Sequence, residues 1–406
     1  MSDLDLVIVG GGPAGLSTAL HVHATAPHLR TVVLEAETYP REKICAGGVG
    51  ARGLRVLEAL GVAPDCPMVP IDAMALRFAD DEITVRHPGL GVVVRRVELD
   101  HALARTAQAR GITVRDGTPV ATIAPARDHV RVTLASGETL RTKVLVGADG
   151  VAGITRRQLA MPQSTLRAQV VELDTPATAK DAPRDTIVFD FSARDLHGYA
   201  WDFPTLVAGQ PLVCRGAYVI HNLGSDSPKA RVTSYLAARG LDAKDYRLKQ
   251  YAERGLEPDA DISRPRVLLV GEAAGIDIAT GEGIAQAIEY GMLAGGYLAR
   301  AFDREDFGFM DWRATVDERH LGKQLRIRHA CYRAFYGERR GLLERVLPRT
   351  PALIQLGLQD FAGAPLSKLA MLRGAGQALA ALARLPLARS ENATRVESIH
   401  ARDEQR

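Results

Sequence analysis

Cysteine is scarce in this chain. Cys45, Cys66, Cys214 and Cys331 stand in 406 residues without paired spacing. That excludes a disulfide framework and a cysteine-ligated metal site, so no metal is expected, and it fits a reducing, cytoplasmic setting. Charge of one sign is also lacking, with 51 Lys and Arg set against 48 Asp and Glu. A net charge of +3 is too small to argue for a nucleic-acid partner. No apolar run reaches the roughly eighteen residues of a membrane span, so no integral membrane association is expected. Three residues precede the first apolar run, which on this reading leaves no space for a signal or transit peptide. Internal repeats and low-complexity tracts are missing. What remains, 46% hydrophobic and 24% charged, is ordinary globular composition. A length of 406 residues suggests two or three intimately packed subdomains.

The most informative stretch is Leu4 to Leu34. Apolar residues through Val9 read as a short buried strand, followed at once by Gly10-Gly11-Gly12-Pro13-Ala14-Gly15. Ser17 to His28 reads as a helix, and Thr31 to Leu34 as a second strand ending on Glu35 and Ala36. Together these make a βαβ dinucleotide fold of about thirty residues. Gly10 permits the tight turn, Gly12 lets the backbone approach a pyrophosphate, and Gly15 lets the helix pack against the strand. The helix N-terminus offers free N–H groups and a positive dipole end to phosphates. Glu35 is placed to accept hydrogen bonds from a ribose diol. The segment serves FAD and NAD(P) equally, and a second fingerprint is lacking.

After Glu35, Tyr39 to Gly50 reads as a loop, opened by Pro40 and closed by Gly47, Gly48 and Gly50. A helix is predicted from Arg52 to Leu60, then short strands at Ala73–Phe78 and Ile83–Val85. Val97 to Arg110 is an amphipathic helix, and Val120 to Arg141 a hairpin turning near Ser136-Gly137. Gly147-Ala148-Asp149-Gly150 ends another buried strand. From Arg167 to Ile220 the pattern is β-rich, and Arg231 to Arg254 reads as a helix broken near Gly240. A third buried strand runs into Gly271-Glu272-Ala273-Ala274-Gly275, and Thr280-Gly281-Glu282-Gly283 opens a helix from Ile284 to Phe302. Phe307 to about Leu387 is helical with breaks at Pro348, Pro351 and Pro365, before a polar tail.

Three buried strands ending in Gly/acid loops, spread over the length, resemble the FAD-dependent oxidoreductases of the aromatic-hydroxylase fold. Within these the chain is most similar to the geranylgeranyl-reductase-type flavoproteins. Four motifs from Val7 to Gly283 carry the likeness over about three quarters of the chain. The fold implied is α/β: a Rossmann-type FAD-binding domain (1–70, 93–160 and 262–303) with an inserted antiparallel-sheet substrate domain (71–92 and 161–261). A helical C-terminal region (304–390) and a disordered tail (391–406) follow. By the resemblance, Gly10, Gly12, Pro13, Ala14, Gly15, Glu35 and Ala36 hold the adenosine and pyrophosphate. Arg96 falls near the ribityl-phosphate arm, and a helix-start arginine facing solvent fits its context too. Asp149 borders both FAD and a nicotinamide docking surface, where Arg156 and Arg157 either meet NADPH phosphates or form a solvated turn. Gly271 and Glu272 match the ribityl-binding motif, with Glu in place of the family's usual Asp. Gly281, Gly283 and Ile284 aim a helix N-terminus at the flavin ring. Ile278 stands where the family has proline.

Two segments are implied to face substrate. Lys43-Ile44-Cys45-Ala46-Gly47-Gly48 resembles the Lys-x-Cys-Gly-Gly loop of prenyl reductases, with Ala46 as an extra residue. There Cys45 either donates a proton or packs, and Gly47 and Gly48 admit the isoalloxazine. Tyr199-Ala200-Trp201-Asp202-Phe203-Pro204 resembles a Tyr-x-Trp-x-Phe-Pro roof strand. Alternation places Tyr199, Trp201 and Phe203 on one face, an aromatic wall or a core stripe, and Asp202 on the other. His197 reads as a surface-loop residue. The basic C-terminal helices read as a solvated face covering the FAD domain. Cys45, Gly48, Tyr199 and Trp201 are the catalytic candidates. The expected activity is an NAD(P)H-driven monooxygenase hydroxylating an aromatic or hydrophobic substrate, or a side chain of a partner protein. Asp190, Asp202 and Arg215 flanking the roof strand favour that choice. Reduction of isoprenoid double bonds is the alternative, and a non-catalytic FAD-binding assembly protein a third class. Halogenation lacks its tryptophan-rich signature.

Overall fold

Apolar strands flanked on both faces form a parallel sheet. The computed structural model describes residues 4–162, 165–220, 227–365 and 368–383, and the predicted tail lies outside them. Its first sheet runs, in spatial order, Ser263–Arg264, Val267–Leu269, Thr139–Gly147, Leu4–Val9, Thr31–Leu34 and Thr113–Arg115. The last five strands are parallel. Leu6, Val7, Ile8, Val144, Leu145 and Val146 are fully enclosed between helical layers. One of those layers is the packing of helix Pro13–Thr25 on helix Ile284–Arg304. There the Ser17 hydroxyl donates to the Ile288 carbonyl at 2.7 Å.

The second sheet also has eight strands: Lys249–Arg254, Arg167–Thr175, Gln210–Ile220, Gly198–Val207, Thr186–Asp190, Met68–Arg77, Glu82–Val94 and Gly48–Gly50. All its neighbours are antiparallel except Thr186–Asp190 beside Met68–Arg77. The C-terminal helices, chiefly His320–Phe335 and Pro351–Ala362, pack beside it. No helix among the described residues is long and apolar enough to cross a membrane.

Three local expectations are corrected. The helix expected over Arg231–Arg254 is only Pro228–Ala237, and after Gly240 (φ 75°) the chain enters strand Lys249–Arg254. That strand is fixed by backbone pairing with Arg167–Glu172, a partner some eighty residues away that local periodicity does not report. The hairpin over 120–141 is a three-stranded meander, Val120–Pro125, Val130–Leu134 and Thr139–Gly147, with a second turn at 126–129. Gly48–Gly50, read as loop, is a strand against Gly91–Val93.

Candidate cofactor and substrate cavity

A cavity of about 1130 Å³ lies between the two sheets and the C-terminal helices. Gly10, Gly12, Pro13 and Ala14 line one end. Gly10 has φ 108°, and a Cβ there would sit 2.3 Å from the Ala148 carbonyl oxygen. The Gly12 N-cap of helix Pro13–Thr25 supplies no side chain, so the helix's first N–H groups face the cavity uncapped. Two guanidinium groups stand beside this cradle, since a Cβ on Gly12 would meet Arg96 Nη2 at 3.3 Å and Arg41 Nη2 at 3.9 Å. Arg96 is held by both oxygens of Asp100 at 2.7 Å, and Arg41 bridges Asp100 (3.0 Å) and Glu35 (3.2 Å). An uncapped helix start flanked by fixed arginines has the donors and the charge to hold a diphosphate.

Glu35 and Ala36 line the same end, and Glu35 Oε2 accepts the Gly11 N–H at 2.8 Å. Asp149 lines the cavity too; its Oδ2 takes the Thr155 N–H and hydroxyl, both at 2.8 Å. Its Oδ1 is buried with no hydrogen-bond partner among the described residues, and burial raises its pKa from the ordinary aspartate value. Glu272 accepts the Arg254 N–H at 3.2 Å, and burial raises its carboxyl as well. Gly281, Gly283 and Ile284 close this wall, where helix Ile284–Arg304 begins on Gly283 without a side-chain cap. Gly15 and Gly271 do not line the cavity. A Cβ on Gly15 would fall 1.9 Å from the Gly10 carbonyl oxygen, and one on Gly271 would meet Ala14 Cβ at 2.6 Å. Both glycines serve packing behind the loop.

The rest of the cavity is apolar. Tyr199, Trp201 and Phe203 all face it, joined by Phe189, Phe191 and Tyr218. The rings of Tyr199 and Tyr218 stack at 5.0 Å, and Phe189 meets Tyr199 and Phe203 edge-on at 5.1 and 5.4 Å. Cys45, Ala46, Gly47 and Gly48 line the cavity beside them, with Gly48 so placed that a Cβ would touch the Phe203 ring at 3.0 Å. The Cys45 N–H donates to Glu172 Oε1 at 3.2 Å, and burial pushes the Cys45 thiol up to about 11. It is therefore protonated at neutral pH. Tyr332, Phe335 and Tyr336 from the C-terminal helices complete the enclosure, and Ile327 and Met371, both exposed, reach it from the surface side.

Several expected placements fail. Asp190 and Arg215, read as charges flanking the roof strand, do not line the cavity, whereas Asp202 lies off the aromatic face as alternation places it. Asp202 and Arg215 meet on the far face of the sheet at 2.6 Å, because strand alternation turns them away from Trp201 and Gly216. Arg156 is buried and donates to the carbonyls of Ala273 (3.2 Å) and Pro162 (2.7 Å), so it is not available to a docking nucleotide. Arg157 remains exposed. His197 is half-buried, with Nδ1 enclosed, rather than a surface-loop residue. The C-terminal arginines divide: Arg326, Arg333, Arg339 and Arg345 are exposed. Arg328 instead bridges Asp277 (2.9 Å), Glu282 (2.6 Å) and Asp360 (3.2 Å), while Arg340 is buried on Glu344. These helices therefore cap the cavity and tie to the 277–282 loop instead of presenting only a wet face.

Sequence reasoning passed over Arg41, Tyr218, Tyr251 and Glu253 as site residues, and all four line the cavity. Arg41 carried a signal, a cation six residues beyond the Glu35 strand end. Glu253 carried none, because its segment read as helix.

Residues 3–194 match the family model described as FAD binding domain. Digeranylgeranylglycerophospholipid reductase 2 of Methanosphaera stadtmanae is 24% identical over 349 residues, covering 80% of this chain and 85% of that protein. A geranylgeranyl bacteriochlorophyll reductase-like protein from Thermoplasma acidophilum superposes with TM-score 0.67 at 19% identity, covering 95% of this chain and 96% of the other. The p-nitrophenol 4-monooxygenase of Pseudomonas putida superposes with TM-score 0.65 at 18% identity, covering 90% and 100%. With a helix start and arginines suited to a diphosphate at one end of the cavity and an aromatic wall at the other, the chain carries an FAD binding domain in the fold shared by flavin monooxygenases and is similar to the geranylgeranyl-reductase-type flavoproteins.

Proposed function

We propose that this protein reduces carbon–carbon double bonds of an isoprenoid substrate, using FAD recharged by NADPH or NADH. The observation that carries this is the apolar, aromatic-walled continuation of the cavity beyond the cofactor cradle. At about 1130 Å³ the whole space exceeds the usual range for one small ligand, which suits a cofactor and a hydrophobic chain together. The likeness to a digeranylgeranylglycerophospholipid reductase over 80% of this chain supports the same reading. The charges that favoured hydroxylation, Asp202 and Arg215, lie on the other face of the sheet and lend it nothing.

Gly10, Gly12, Pro13 and Ala14 would hold the diphosphate through backbone N–H groups, with Arg41 and Arg96 neutralising it. Glu35 and Ala36 would border the ribose, Asp149 and Glu272 the ribityl arm, and Gly281, Gly283 and Ile284 the ring edge. Bound FAD supplies two-electron chemistry as a hydride equivalent. The uncapped start of helix Ile284–Arg304 favours negative charge beside it. Tyr199, Trp201 and Phe203 orient the chain by area and exclude water, and Cys45, Gly47 and Gly48 set the close approach beside them. On this reading residues 1–70, 93–160 and 262–303 bind FAD, 71–92 and 161–261 shape the substrate site, and 304–390 lid it.

The test is anaerobic reduction of the FAD-loaded protein with NADPH or NADH, followed by mixing with geranylgeraniol. Reoxidation of the flavin with a product heavier by one H₂ per bond reduced supports the proposal. Substrate-dependent oxygen consumption giving a hydroxylated product would refute it in favour of monooxygenation.

A further inference from the structure

Strand Lys249–Arg254 is the edge of the second sheet next to the cavity. Its alternation sends Tyr251 and Glu253 to the same side, and both line the cavity. Glu253 is 7% exposed, and its Oε2 has no hydrogen-bond partner among the described residues. A Cβ on Gly281 would lie 3.2 Å from Glu253 Oε2 and 3.2 Å from the Tyr199 hydroxyl. The carboxyl therefore stands where the aromatic wall meets the loop at the start of helix Ile284–Arg304. The Tyr199 hydroxyl is already directed to the Thr280 carbonyl and that of Tyr218 to the Ile278 carbonyl at 3.2 Å.

Building on the reductase reading, we propose that Glu253 is the acid whose proton passes to the substrate carbon as the double bond is reduced. Reduction of an alkene needs a hydride equivalent on one carbon and a proton on its neighbour. The π bond breaks, one C–H bond forms with the electron pair donated by the reduced cofactor, and the second forms with the proton released from the Glu253 O–H. The carboxylate left behind regains a proton from water.

The chemistry of the cavity lining selects Glu253 over its neighbours. Burial raises its carboxyl well above its ordinary value, with Glu272 and Asp277 reinforcing this and the nearby Tyr218 hydroxyl and Lys43 opposing it. The Tyr199, Tyr218 and Tyr251 hydroxyls are all pushed well above their ordinary value by burial. The Cys45 thiol, at about 11, is likewise a reluctant donor. A buried carboxylic acid whose pKa is raised holds its proton more firmly than an exposed one, yet remains an intrinsically stronger acid than a phenol or a thiol, which is what general acid catalysis requires. The other raised carboxyls lining the cavity are engaged, Glu272 with the Arg254 N–H and Asp149 with the Thr155 N–H and hydroxyl.

The experiment uses the full FAD-loaded chain with E253Q and E253D. Infrared difference spectra at neutral pH should contain a protonated-carboxyl C=O band that is absent from E253Q. Both variants should bind FAD as wild type does. Anaerobic reoxidation of the reduced flavin by geranylgeraniol should fall roughly 10²- to 10⁴-fold in E253Q, the usual worth of a general acid, and recover in part in E253D. Reoxidation of E253Q within a few-fold of wild type, or the absence of a Glu253-dependent carboxyl band, would overturn the proposal. A wild-type protein that shows the band but is not reoxidised would instead refute the reductase reading, and the alkene protonation with it.

Discussion

Glu172 is 2% exposed on strand Arg167–Thr175, where it anchors the Cys45 N–H at 3.2 Å and receives the Cys214 thiol at 3.7 Å. Burial pushes its carboxyl up to about 7, helped by Asp174 and opposed by Arg95 and Lys249. Set against an unfolded value of 4.5, the folded state binds this proton more tightly. Its contribution to stability is fully present below about pH 4.5, declines as the pH rises towards 7, and is lost above that. The rise of roughly 2.5 units corresponds to about 3 kcal/mol between the two limits. Glu172→Gln keeps an acceptor for Cys45 and removes the titration. Urea unfolding of the FAD-loaded wild type and variant from about pH 5 to pH 8.5 should show their stability difference moving by about 3 kcal/mol in the variant's favour. Parallel pH profiles would refute the reasoning, because they would mean that Glu172 is ionised in the folded protein at no cost.

Arg215, fully buried between Asp202 (2.6 Å) and Asp181 (2.7 Å), faces away from the cavity. Arg215→Met should destabilise the fold, by less than the roughly 3–5 kcal/mol of a fully stranded buried charge because Arg239 still holds Asp202 at 2.6 Å, with turnover per bound FAD unchanged. A change in turnover larger than a few-fold would put the residue back in the site. Arg328→Ala should cost about 3–5 kcal/mol and also loosen FAD, because Asp277, Glu282 and Asp360 lose their shared cation beside the ring-edge loop. Thermal unfolding and FAD titration measure the two effects separately. Gly15→Ala would drive a methyl to within 1.9 Å of the Gly10 carbonyl oxygen, and should weaken FAD binding at least roughly tenfold, read from retained flavin after gel filtration.

The cofactor half was legible because local rules specify it. A buried strand, a glycine turn and a helix start are all encoded within about thirty residues; strands Leu4–Val9 and Thr31–Leu34 follow as read, while the helix read from Ser17 to His28 runs from Pro13 to Thr25. Tyr199, Trp201 and Phe203 share a face for the same reason, since strand alternation is local. What alternation does not tell is which face meets which neighbour. Asp202 and Arg215 looked like polar company for a substrate only until Asp181 and Arg239 were found around them behind the sheet. Arg156 similarly looked free until its carbonyl partners from 105–117 residues downstream closed on it.

By itself, then, the sequence determined the dinucleotide unit, the Gly/acid loops and the aromatic wall, because each depends on contacts between near neighbours along the chain. The tertiary structure alone decided that Lys249–Arg254 is a strand and that Glu253 enters the cavity. It also decided that the C-terminal helices close that cavity through Arg328. Those outcomes rest on pairing and ion contacts between distant segments, whose energies no local window contains.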